Sequence, residues 1–84
     1  GLINQIAPAG EALAQAKVLA AKIAENGPLA VKRSKQVIKE SIDWSQEDMF
    51  DKQQVITSAV FSSEDAIEGA TAFAEKRKPN WKGR

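Results

Sequence analysis

Three short interruptions divide this chain and leave it little choice of fold. They are Asn26-Gly27-Pro28, Trp44-Ser45-Gln46-Glu47-Asp48-Met49 and Ser62-Ser63-Glu64-Asp65, each with helix-boundary chemistry. Between them apolar residues recur three and four apart, the spacing that lays one stripe along an α-helix. The pattern predicts an all-α fold, a short extended N-terminal lead-in followed by about four helices in one domain spanning residues 1–84.

The lead-in carries Leu2, Ile3 and Ile6 and is closed by Pro8 and Gly10. A first helix is expected from Glu11 to Glu25, with Leu13, Ala16, Ala20 and Ile23 on its inner face. Gly27 suits a left-handed cap and Pro28 the first turn of a second helix reaching Ile42. Val31, Ile38 and Ile42 mark the buried side of that helix; Lys32, Arg33, Lys35 and Lys39 read as its solvated side. Ser45 suits an N-cap, with Asp48 at the capping-box position and Trp44 and Met49 forming a hydrophobic staple. The third helix should then run to Phe61. Ser62 and Asp65 repeat the start signal for a fourth, whose apolar stripe is Ile67, Ala70 and Phe73. Gly69 within it costs about 0.5–1 kcal/mol relative to alanine, which implies close packing against another backbone. Pro79 bars continuation.

Cysteine and histidine are both absent. That removes disulfides, Cys/His zinc sites, cysteine nucleophiles and imidazole acid–base chemistry. There is no run of the ~20 apolar residues a membrane span needs, no phosphate-cradling glycine loop and no internal repeat. The acids Glu40, Asp43, Glu47, Asp48 and Asp51 gather at a helix end and a helix start, where dipole and solvent account for them. The N-terminus has neither a start methionine nor a basic signal region, so the chain is expected to be part of a longer one.

Charge is uneven. Residues 75–84 hold five cations and one acid, against seven cations and ten acids elsewhere. A basic end on an acidic body points to an anionic partner, although cations also complement a helix C-terminus. The candidates are a phosphorylated small molecule, nucleic acid, or no ligand at all in a small protein-interaction module. Five cations make a small nucleic-acid footprint, and no recognition helix is evident.

Residues 60–84 carry a denser signature. Phe61, Ser63, Asp65, Glu68 and Gly69 form F-x-S-x-D-x-x-E-G, and Ala72 to Trp81 read A-F-x-E-K-R-x-P-x-W. This stretch resembles the C-terminus of the crotonase superfamily, the enoyl-CoA hydratases and isomerases. "GLINQIAP" and "NGPLAVKRSKQVI" are similar to the segments that precede it there, so the resemblance covers the whole chain. It implies a helical C-terminal region that supports trimers, or dimers of trimers, and helps close a pocket for an acyl-CoA thioester. The catalytic core of such an enzyme would lie outside these residues. No catalytic residue is therefore carried over, the isolated chain is expected to be inactive, and no cofactor or metal beyond the acyl-CoA substrate is implied. The implied setting is cytoplasmic, with no nucleic-acid partner. Two positions transfer: Phe73, matching an aromatic near the CoA adenine, and Lys76, matching a lysine that reaches the nucleotide end of CoA. Phe73 is expected to pack on the helical layer with an edge left for adenine, Arg77 to form a structural salt bridge to a neighbouring helix, and Trp81 to pin the tail. Thr57 stands where some relatives have a second aromatic.

Overall fold

Asn26 ends the first helix. Its side-chain amide donates to the carbonyls of Lys22 and Ile23 at 3.1 and 3.2 Å, satisfying acceptors that a helix C-terminus leaves free. The computed structural model describes residues 1–84 as α1 (Ala12–Ala24), α2 (Pro28–Glu40), a 3-10 turn at Ser41–Asp43, α3 (Met49–Phe61) and α4 (Glu64–Ala74). The lead-in is irregular and forms no strand. Gly27 is not the left-handed cap expected of it. With φ −55° and ψ 122° it is the N-cap of α2, with Pro28 next.

The other boundaries shift by a few residues for local reasons. α2 tightens after Glu40, and the Ser41 hydroxyl bonds back to Ile38 at 3.2 Å. Ser45 Oγ accepts from the Asp48 N–H at 3.2 Å, as a cap would, but residues 46–48 form an irregular turn and α3 starts at Met49. α4 is capped by Ser63 rather than Ser62. Its Oγ accepts from the Ala66 N–H at 3.0 Å and donates to the Val60 carbonyl at 2.6 Å, joining the end of α3 to the start of α4.

α2 packs on α3, α3 meets α4, and α1 makes no extensive contact with another helix. The result is a slab of 45 × 39 × 17 Å with a radius of gyration of 16.3 Å, against roughly 12 Å for a compact domain of this length. Its accessible surface is 7182 Å², where roughly 4,900 Å² is usual for this mass. One helical layer has no second layer to cover it. The stripes expected to be buried are accordingly on the surface: Leu13 and Ile23 of α1, and Ile38 of α2 with Ile42 just after it; Phe50 and Phe61 of α3 are exposed as well. Met49, Ile56 and Val60, which share one face of α3, are half-buried.

α4 is turned over relative to expectation. Ile67, Ala70 and Phe73 face outward, and Ala72, 1 % exposed, is the one apolar residue fully enclosed. Inward-facing positions are Asp65, Glu68, Gly69 and Ala72, spaced one helical face apart. A small and acidic face of this kind suits the chain's own basic tail.

Candidate functional site

The tail leaves α4 through a two-bond reversal. The Arg77 N–H donates to the Ala72 carbonyl at 3.0 Å and the Lys76 N–H to the Phe73 carbonyl at 3.2 Å. These are the two bonds of a Schellman motif, which needs a left-handed residue at the first position past the cap. That residue is Lys76, with φ 54°. Glycine usually takes this place, since a side chain there costs about 1–2 kcal/mol. Lys76 is therefore outside the helix, and its direction relative to Arg77 is set by the reversal.

Beyond the turn, residues 77–84 lie along the acidic face of α4. The Arg77 guanidinium grips Glu68 through both terminal nitrogens, at 2.6 and 3.0 Å, and also pairs with Glu75. Its salt bridge thus runs to its own preceding helix, not to a neighbouring one. The same Glu68 carboxylate accepts the Asn80 N–H at 2.7 Å. Asp65, only 5 % exposed, accepts the N–H groups of Lys82 at 2.7 Å and Gly83 at 2.9 Å, while its own N–H donates to the Arg84 carbonyl at 2.9 Å. Glu64 pairs with Lys82 and Arg84. Spacing alone made Asp65 a capping residue; its partners lie 17 and 18 residues downstream, beyond any local rule.

Trp81 anchors this strap as expected. Its indole N–H donates to the Glu25 carbonyl at 2.9 Å, tying the tail to the end of α1. The ring covers both Gly27 and Gly69: a Cβ on Gly69 would lie 3.0 Å from Cη2, and one on Gly27 3.6 Å from Cζ3. The close approach at Gly69 is thus made by an indole and not by another backbone.

Charge follows geometry. The Arg77 hydrogen bonds, and then the Asn80 N–H, hold the Glu68 carboxyl down at about 2. Glu68, and then Glu75, raise the Arg77 guanidinium above its ordinary value. Hydrogen bonding to Arg84 lowers Glu64. Both carboxyls are depressed in the folded state, so they stabilise the strap above the ordinary carboxylate value near 4.5, and this support is lost as pH falls toward 2. In a Trp44→Phe variant, Trp81 emission is expected to stay constant from pH 7 to 5 and then drift toward that of exposed indole on acidification. A transition centred above pH 6 would contradict this assignment.

Three of the five tail cations are thereby engaged, while Lys76 and Lys78 belong to none of the structure's ion pairs. Phe73 is 87 % exposed; no helical layer covers it, contrary to the packed position expected. It and Lys76 are joined by the reversal bond at the same helix end. Thr57, at the site of the second aromatic, is half-buried and its hydroxyl bonds the Gln53 carbonyl at 3.0 Å. No cluster of side chains suited to hold a metal is present, and no helix is long and apolar enough to cross a membrane.

The chain matches the family model described as enoyl-CoA hydratase/isomerase over residues 1–84. It is 44% identical to the enoyl-CoA hydratase EchA19 of Mycobacterium tuberculosis, covering all of this chain and 32% of that protein. It is 40% identical to the carnitinyl-CoA dehydratase of Proteus mirabilis, again over all of this chain and 34% of the relative. Among solved structures, an enoyl-CoA hydratase from M. tuberculosis H37Rv superimposes with a TM-score of 0.98 at 52% identity, covering 100% of this chain and 33% of that one. A probable enoyl-CoA hydratase/isomerase from Mycobacterium abscessus gives 0.97 at 54%, with 100% and 33% covered. The chain spans about a third of the length of the relatives it matches. With its four helices and basic strap aligned from end to end on such proteins, this chain belongs to the enoyl-CoA hydratase/isomerase family.

Proposed function

We propose that this chain is the helical part of an enoyl-CoA hydratase/isomerase that closes the pocket for an acyl-CoA thioester and carries subunit contacts. The observation that carries the reading is the α4 terminus, where an uncovered aromatic, Phe73, stands beside an unpaired ammonium, Lys76. An exposed aromatic offers adenine a face or an edge, and a free ammonium meets phosphate as a point charge. Nucleic acid is disfavoured because Arg77, Lys82 and Arg84 are already neutralised by α4 carboxylates. The setting is cytoplasmic, and the thioester needs no further cofactor.

The test uses an intact enzyme in which this chain replaces the matching third of the M. tuberculosis hydratase of known structure. Lys76→Ala is expected to raise KM for a CoA ester about 5–30-fold with kcat unchanged, the loss of one partly exposed charge-assisted contact that is the same in ground and transition states. For a pantetheine ester, which lacks the nucleotide, KM should not move. An unchanged KM with both substrates would remove Lys76 from the site.

Subunit contact has its own support. The slab exposes roughly 2,300 Å² more than a compact domain of its mass would, an area in the range of obligate interfaces. The chain on its own is expected to self-associate, in a trimeric arrangement or a helix-exchanged form of it. Sedimentation as a monomer at millimolar concentration would count against that.

A further inference from the structure

We infer that Glu68 is a positioning residue for Lys76, an inference that rests on Lys76 being the proposed phosphate contact. Lys76 occupies a left-handed conformation that its side chain disfavours, so something outside the residue has to hold it there. The two reversal bonds define the conformation, but they are backbone bonds at a frayable helix end. Glu68 secures the chain on the far side of that turn. One of its oxygens takes the Arg77 guanidinium at 2.6 Å and the Asn80 N–H at 2.7 Å, and the other takes Arg77 again at 3.0 Å. Arg77 closes the loop further by donating to the Lys78 carbonyl at 3.2 Å.

One carboxylate therefore fixes residues 77 and 80, and the intervening Lys78 and Pro79 have little freedom left. It also decides which cations are available. A bidentate partner occupies the planar Arg77 fork and leaves the adjacent ammonium groups, Lys76 and Lys78, unpaired. Without Glu68 the turn would lose its anchor, and the terminal nitrogens of Arg77, still tethered to Glu75 through Nε, would compete for the same phosphate. The neighbouring carboxylates do not substitute. Asp65 is committed to Lys82 and Gly83, Glu64 to Lys82 and Arg84, and Glu75, on the near side of the turn, reaches only Arg77 Nε and not the Asn80 N–H.

The experiment uses the same intact enzyme, with Glu68→Ala, the milder Glu68→Gln, Lys76→Ala and the double variant Glu68→Ala/Lys76→Ala. Glu68→Ala is expected to raise KM for the CoA ester to about the level of Lys76→Ala, and Glu68→Gln to raise it less. Neither should alter kcat or the KM of the pantetheine ester, and the double variant should be no worse than Lys76→Ala, since two residues acting through one contact are not additive. In a crystal structure of the intact Glu68→Ala enzyme, Lys76 should have left its left-handed conformation. If Lys76→Ala raises KM while both Glu68 variants leave it unchanged, the positioning role is wrong and the Lys76 contact stands. If neither residue matters, both fall. A lower kcat, an equal rise with the pantetheine ester, or simple additivity would show Glu68 acting on the fold at large and overturn the inference.

Discussion

Trp81→Ala is expected to release the whole strap, and the amides of Lys82 and Gly83 should then exchange with solvent roughly a hundredfold faster than in the parent chain. Truncating a buried large aromatic costs about 3–5 kcal/mol, and the lower end applies because Trp81 is half-buried. A loss of about 3 kcal/mol in local opening free energy is close to two decades in exchange rate. The indole is also the strap's bond to the end of α1, through the Glu25 carbonyl at 2.9 Å. Its removal therefore separates α1 from α4 in a slab where α1 makes no extensive contact with another helix. Gly69→Ala supplies the control. Alanine is the better helix former by about 0.5–1 kcal/mol, yet its Cβ would sit 3.0 Å from the ring, so exchange at the same two amides should still quicken. Protection within threefold of the parent in Trp81→Ala would mean that Asp65 and Glu68 hold the strap without the indole.

Local structure was legible in the sequence. Periodicity located the helices, and serine, asparagine and proline marked their ends to within a few residues. The reach of each element was not legible. Hydrophobic stripes on Leu13, Ile38 and Ile67 identify faces that seek cover, but periodicity does not say whether this stretch of chain supplies the cover, and in a layer 17 Å thick it does not. Gly27 and Gly69 looked like two separate backbone requirements. Both answer to one side chain, Trp81, which lies 54 and 12 residues away from them. Asp65 is the plainest case: three residues after a serine it satisfies a capping rule, and its actual partners are backbone N–H groups with no sequence signature. The helix-end basic run was visible as charge. The division within it, between cations engaged by carboxylates and the two left unpaired, needed distances.

A short enoyl-CoA ester is expected to be turned over by the intact chimeric enzyme and not, within detection, by this chain alone. General acid–base work at neutral pH needs a group whose pKa lies near 7 and whose lone pairs are free. The chain has no histidine, and the carboxylates that hold the strap are spent. Glu68 is held at about 2 with Arg77 and Asn80 upon it, and Asp65 accepts two tail N–H groups. Polarising a thioester carbonyl needs converging donors. At the start of α4 two backbone N–H groups are already committed, that of Asp65 to Arg84 and that of Ala66 to Ser63. Loss of one oxyanion donor costs about 10²–10³ in rate and loss of acid–base assistance about 10²–10⁴. Together they put the lone chain at least about 10⁴-fold below a complete enzyme. Turnover by the purified chain that disappears in Glu68→Gln or Asp65→Asn would reverse this reading, because those carboxylates would then be handling water instead of holding the strap.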